Sequence, residues 1–417
     1  MHQYKILSNG IRVVAEKIEY LKSISIGVWI GNGSRYENKS ENGISHFIEH
    51  MLFKGTYNRS AVQIANEIDS VGGHIDAFTT REYTCFYTKT LDEHIPIALD
   101  VLSDMLFNPR FDEDDMSLER QVIKEEIRMY EDSPEELVYD LSSYAVWGDT
   151  PMGRTILGTY ESLDKINPDI MRTFMNNHYT SANTIISVSG NFDDTFFDLL
   201  EEYFGKRKMR DVLPSLPEAP YLPQRNMVKT KDIEQVQLVA NFKGIDVMDD
   251  SVYSLLVFNN IFGSGMSSRL FQNIREKRGL VYWISAGHSA YINTGVFDIS
   301  AGMSPQSLEE VAELISKEIN IVKRDKLSAE EIKKSKEQLK GNYILSREST
   351  GARMQGAGRS LLLGKKILTQ EEALKKIEEV SVDSVAEIID RVLDGNTLCV
   401  CAVGPADSVD GIFDINR

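Results

Sequence analysis

The sequence predicts an α+β protein built from two similar halves, and three observations carry that reading. A length of 417 residues, at roughly 100 to 200 per domain, calls for two or three cores. Pro214, Pro217, Pro220 and Pro223 fall within ten residues, beside the basic stretch Lys206-Arg207-Lys208. Proline fixes φ and lacks an N–H, so this segment continues neither a helix nor a central strand and reads as an extended linker over 206–227. The order of strand-like and helix-like patterns before the linker then returns after it. The expected domains are 1–205 and 228–417.

The first half opens with an apolar strand pattern from Ser23 to Ile30, followed by helical stretches over about 43–53 and 60–71. A strand pair follows over about 74–80 and 83–90, then several helices and a closing strand over 183–190. The second half opens with Val236 to Phe242 and continues with helical stretches over about 251–262 and 267–277. Strands from Val281 to Ala286 and Gly295 to Ala301, several helices and a closing strand over 396–404 complete it. Each closing strand ends in a glycine, Gly190 or Gly404, followed shortly by Asp, which supports duplication of one α+β unit.

Composition excludes several classes. A hydrophobic content of 42% and a charged content of 26% belong to a globular chain, not a disordered or low-complexity one. A net charge of −17 argues against neutralising nucleic-acid phosphates or an anionic membrane surface, so neither partner is expected. No run reaches the 18 or so apolar residues of a membrane span, and the first residues lack a secretory pattern, so the expected location is the cytoplasm. Cys85, Cys399 and Cys401 are too few for a disulfide framework and read as buried thiols.

The chemistry-bearing segment is His46-Phe47-Ile48-Glu49-His50, between the capping residues Ser40-Glu41-Asn42-Gly43 and a stop at Lys54-Gly55. Histidines four apart project from one helix face, where both imidazoles can bind one metal ion, and Glu49 borders the same face. Without a third ligand the pattern is two surface histidines and a glutamate on an amphipathic helix. The acidic segment 112–136, with eleven Asp/Glu against three Lys/Arg, can supply that ligand. Met116, Val122, Ile123, Ile127 and Met129 approximate a helical stripe, and Glu119 and Glu126, seven apart, share a face. One ligates and the other supports; the competing reading is a solvated acidic face. Two imidazoles and one carboxylate leave a position open on Zn²⁺, as in catalytic zinc sites, where the ion activates water and polarises a carbonyl. Glu49 would take the proton and pass it to a leaving amine, which is peptide hydrolysis.

His-x-x-Glu-His followed after 75 intervening residues by a ligand glutamate resembles the inverted motif of the pitrilysin/insulinase metallopeptidases. The likeness is greatest to single-chain bacterial members similar to the mitochondrial processing peptidase β-subunit, and it covers essentially the whole chain. It implies two homologous domains, each a mostly antiparallel sheet packed with several helices. It also implies that His46, His50 and Glu126 bind one zinc per chain, that Glu49 is the general base, and that Glu119 orients the site. The stretch Gly72 to Glu82 is similar to the edge strand on which these enzymes lay an extended peptide, with Asp76, Ala77 and Phe78 at its centre and Asp76 in place of the usual Asn. Arg275 and Tyr282 match residues that contact the bound peptide. Glu136 and Asp140 align with carboxylates that recognise an arginine just before the cut. The family's four-domain chamber implies a homodimer of this two-domain chain, with Arg275 and Tyr282 acting across it. The alternative of another class is a non-catalytic scaffold that keeps the fold, and the intact ligand and base set argues against it.

Overall fold

The structure, a computed structural model, describes residues 2–222 and 226–415; Met1, linker residues 223–225 with Pro223, and residues 416–417 lie outside it. The first compact unit comprises Met1–Ile127, Thr155–Pro217 and Leu345–Ile367. Its six strands are β1 His2–Ile6, β2 Arg12–Lys17, β3 Ser23–Ile30, β4 His74–Thr79, β5 Thr84–Leu91 and β6 Thr184–Gly190, in the order β1-β2-β6-β3-β5-β4. All pairings are antiparallel except β2 with β6. The central strands β3 and β6 are buried almost throughout, and both of their faces carry apolar or small residues and no charge.

The helix Thr350–Leu362 packs against β2, β3 and β6. Its approach is close enough to need glycine on both sides: a Cβ on Gly27 would lie 2.4 Å from Met354 Sδ, and one on Gly358 would lie 2.3 Å from Trp29 Nε1. Trp29 Nε1 donates to Ser187 Oγ at 2.8 Å beneath that contact. The helices α1 Ile44–Leu52 and α2 Ala61–Asp69 pack at β4, and α3 Ile95–Phe107 at β5.

The second compact unit comprises Arg128–Arg154, Glu218–Ile344 and Leu368–Arg417. Its strands are β7 Met227–Thr230, β8 Val236–Lys243, β9 Val281–Tyr291, β10 Thr294–Met303 and β11 Cys399–Gly404, in the order β7-β11-β8-β10-β9. The helix α4 Glu113–Asp132 carries the chain out of the first unit, and α5 Pro134–Trp147 packs on β8 and β11. There Val138 and Ala145 meet Val239, Cys399, Cys401 and Val403, and Ser142 Oγ donates to Asn241 Oδ1 at 2.8 Å. All three cysteines are buried free thiols, as expected.

The duplication is visible strand by strand. Removing β1 from the first sheet leaves an order and a set of parallel and antiparallel pairings that match the second. Gly190 and Gly404 end the closing strands at φ +143° and +140°, and a Cβ on either would strike the carbonyl oxygen of Ser23 or Gln235, 2.3 or 2.5 Å away. Compactness, however, does not follow the halves. Helix α5 precedes the linker yet belongs to the second unit, whereas 345–367 follows it and belongs to the first, so the 1–205 and 228–417 division is not that of the packed units. A boundary read from prolines marks where the chain is extended; it carries no information about which sheet a helix covers.

The start of α1 also differs from expectation. Ser40 and Glu41 lie in a separate turn, and Gly43, the residue before the helix, has φ +90° and makes no side-chain cap. Its αL conformation and the backbone of Leu157 and Gly158, 2.7–2.8 Å from where a Cβ would stand, both require glycine. The buried Glu37 caps from outside: Oε2 accepts from Gly43 N at 2.7 Å and Asn42 Nδ2 at 3.1 Å, and Oε1 accepts from Ser45 N at 2.9 Å. Burial pushes this carboxyl up to about 7 despite those bonds. Because the folded value exceeds the unfolded 4.5, the folded state binds the proton more tightly; the linked stability is full below about 4.5 and is lost as pH rises through about 7. Glu37→Ala, which strands three buried donors, is expected to destabilise the first unit by about 2–5 kcal/mol. Urea unfolding should show a larger gap from wild type near pH 5 than near pH 8; an equal gap at both would count against this linkage.

Candidate active site

Helix α1 places His46 and His50 on one face with their Nε2 atoms 3.2 Å apart. Glu126, on α4, brings Oε2 to 3.7 Å from each of those nitrogens. Donor atoms around one tetrahedral zinc, at bond lengths of about 2.0–2.2 Å, stand roughly 3.3–3.5 Å from one another, so the three fit a single cation. Among the described residues they form the one such group. Glu126 Oε2 is buried without a hydrogen-bond partner among the described residues, and so is His46 Nδ1. A buried carboxylate oxygen facing two nitrogens and no donor is what a cation site needs and a structural ion pair avoids.

The electrostatics agree with that use. Burial, with the charge of His50 adding to it, drives His46 down to about 3, so its imidazole is neutral and offers a lone pair. Burial also opposes charging His50, but the Glu119 hydrogen bond and the charges of Glu126, Glu119 and Glu49 outweigh it and raise its value. Burial raises Glu126, with Glu119 adding to it against the pull of His50.

Glu119 is not one of the three converging donors and instead backs one of them. Its Oε1 meets His50 Nδ1 at 2.7 Å and its Oε2 meets Lys54 Nζ at 2.5 Å. Burial would raise the Glu119 carboxyl, but these two partners hold it below the usual range. The spacing of seven thus puts Glu119 behind one imidazole and Glu126 in front of both. Lys54 escaped the sequence reading, where it marked only a helix end; its position one turn beyond His50 was the available signal.

Glu49 is held by a residue also missed, Thr79, whose hydroxyl donates to Glu49 Oε2. Burial pushes the Glu49 carboxyl up, against the Thr79 bond and the charge of His50. Thr79 ends β4, and β4 is the sheet edge, as the stretch Gly72 to Glu82 led one to expect. Along it, Asp76 Oδ2 accepts from Tyr87 OH at 3.1 Å, and Ala77 N donates to Asp76 Oδ1. Phe78 packs edge-on to Trp29 at 5.8 Å between centroids, so its side chain anchors the strand while its backbone lies at the edge.

Arg275, Tyr282, Glu136 and Asp140 all belong to the second unit, and the histidine–carboxylate group to the first. Arg275 is exposed on a π-helical turn, Phe271–Glu276, with its guanidinium carbon 4.7 Å from the Phe271 ring centre, where an ordinary helix was expected. Tyr282 is 60% exposed on β9, the edge strand of the second sheet. Glu136 and Asp140 lie on α5.

An α+β fold with this donor set and a glutamate beside it is that of an inverted-motif metallopeptidase. The chain belongs to the insulinase family of peptidases, M16: residues 12–160 match the family described as Insulinase (Peptidase family M16), and residues 165–339 match Peptidase M16 inactive domain. It is 43% identical over 377 residues to the uncharacterized zinc protease YmxG of Bacillus subtilis, covering 90% of this chain and 92% of that one. An uncharacterized zinc protease of Streptomyces coelicolor is 34% identical, over 96% and 88% of the two chains. In fold, the chain is similar to a protease from Helicobacter pylori, with a TM-score of 0.91 at 21% identity over 97% and 99% of the chains. A Pseudomonas fluorescens structure described as a peptidase M16 inactive domain gives 0.88 at 17% identity over 97% and 98%.

Replacing Glu119 by Gln is expected to weaken Zn²⁺ binding roughly 10- to 100-fold, because His50 loses the anion that orients it. Chelator competition measures this, and an unchanged affinity would remove Glu119 from the support of His50.

Proposed function

We propose that the chain is a zinc endopeptidase acting on extended or unfolded peptides. The observation that carries this is the convergence of His46 Nε2, His50 Nε2 and the unpartnered Glu126 Oε2, with Glu49 on the same helix. When bound there, zinc supplies Lewis acidity toward a peptide carbonyl and lowers the pKa of water. Glu49, raised by its burial, accepts the proton of the attacking water and returns it to the leaving amine. Glu119 and Lys54 fix the ring of His50, and the open edge of β4 pairs with a substrate backbone with little demand on sequence. A scaffold role is compatible with the inactive-type second domain but is disfavoured by a complete ligand and base set in the first.

Three finer readings belong to the same proposal. Arg275 and Tyr282 contribute donors to bound peptide carbonyls. The active species is a homodimer, which a fully active monomer on gel filtration and dilution would rule out. The chain works in the cytoplasm, where its free thiols suit a reducing compartment; cell fractionation checks this.

Glu49→Gln is expected to keep stoichiometric zinc and lose turnover of a quenched peptide by ~100-fold or more, whereas Glu126→Ala should lose both. Robust turnover by zinc-loaded Glu49→Gln would falsify the base assignment. Glu136 and Asp140, four apart on α5, are proposed to bind an arginine near the cut. Neutralising both should raise KM severalfold for Arg-containing peptides only, and an equal rise for Arg-free peptides would show that the pair does not read arginine.

A further inference from the structure

The edge strand and the general base are joined by one hydroxyl. Thr79 is the last residue of β4, in register with Thr84 at the end of the β4–β5 ladder. Thr84 Oγ1 donates to Asn32 O at 3.0 Å, so its single proton is committed and it can only accept from its neighbours. Thr79 Oγ1 stands 3.4 Å from Thr84 Oγ1, and its own proton goes to Glu49 Oε2. Each hydroxyl therefore has one donor role, already assigned, and among the described residues the carboxylate of Glu49 is hydrogen-bonded at Oε2 and not at Oε1.

We infer that Thr79 is the positioning residue of the general base: it pins Oε2 of Glu49, so that Oε1 takes the proton from water and returns it to the amine, and it sets that carboxylate by the end of the strand on which the peptide lies. The inference rests on the peptidase reading. The proton count is unchanged by it: one proton moves from water to Oε1 and then to the leaving nitrogen, while the Thr79 proton stays on its oxygen. A carboxylate with a free torsion meets the water productively only part of the time, so losing the pin lowers the chemical step and leaves peptide affinity alone. The strand backbone that would pair with substrate is untouched by a change at the hydroxyl.

The test uses the zinc-loaded full-length chain and a quenched peptide. Thr79→Val, which replaces the hydroxyl by a methyl, is expected to lower kcat roughly 10- to 100-fold with KM within about twofold. Zinc affinity by chelator competition should stay unchanged. Thr79→Ser, which keeps the hydroxyl, should retain half of kcat or more. In the Glu49→Gln background Thr79→Val should add nothing further. Thr79→Ala gives the same decision should valine distort the strand. A kcat within twofold of wild type in both hydroxyl-free variants overturns the inference. So does a serine variant as impaired as valine, or zinc affinity that falls together with kcat, since each assigns Thr79 to packing alone. Failure of the parent reading is separate: it appears as turnover persisting in Glu49→Gln, whatever Thr79 does.

Discussion

Two imidazole nitrogens 3.2 Å apart, each 3.7 Å from one carboxylate oxygen, can be kept together out of water only if the elements carrying them are immobile. That requirement organises the first unit. The histidine helix is too short, at nine residues, to be stable by itself, so its ends must be held from outside. Glu37 takes its free N-terminal N–H groups, and Gly43 lets the chain turn into it against the backbone of Leu157 and Gly158. At the other end the Lys54–Glu119–His50 chain ties it to α4, so the helix is fixed by the same carboxylate that orients one ring.

The second unit shows what the scaffold looks like without that demand. It repeats the strand order and the glycine ending of the closing strand, yet its counterpart of α1, Val252–Phe262, turns Val257, Phe258, Ile261 and Phe262 into the apolar core. A helix freed of ligands becomes packing. The duplicated architecture is therefore a way of presenting one helix and one edge strand, and chemistry is added to it by a handful of side chains.

How much of this the sequence made legible follows from range. His46, Glu49 and His50 are neighbours on one helix, so spacing alone placed them, and the central strands of both sheets stood out as apolar runs, the two closing strands by their glycine endings as well. Glu119 and Glu126 were legible as a pair, though their separate duties emerged from the resemblance and not from the spacing. Lys54, Thr79 and Glu37 act through contacts with residues 65, 30 and 8 positions away or fewer, and no periodicity encodes a single hydroxyl or ammonium reaching a particular oxygen. The strand β1 was passed over because its exposed residues dilute the apolar signal at a sheet edge, and β2 because its buried stretch, Val13 to Ala15, is only three residues long. The exchange of α5 and the 345–367 segment between halves was invisible for another reason: an amphipathic helix announces that it will cover a sheet, and both sheets offer the same surface.

Charge balance explains why this cluster suits a divalent ion and not a network of ion pairs. Around the two imidazoles stand three carboxylates, Glu49, Glu119 and Glu126, and one ammonium, Lys54, which is committed to Glu119. With both imidazoles neutral, as metal ligands must be, the group lacks two positive charges. Burial is the main cause of the raised values of Glu49 and Glu126, with neighbouring carboxylates adding to it, whereas His50 is raised against its burial by the carboxylates around it; each group is left readier to bind a proton. Two neutral nitrogens and a carboxylate oxygen, converging where the deficit is greatest, accept a doubly charged cation without leaving net charge buried. A single ammonium or guanidinium in the same place would supply half the charge and could not be approached by both imidazoles as acceptors at that separation. Burial raises the Glu49 carboxyl toward easier protonation, the direction a carboxylate needs if it is to accept a proton and then release it.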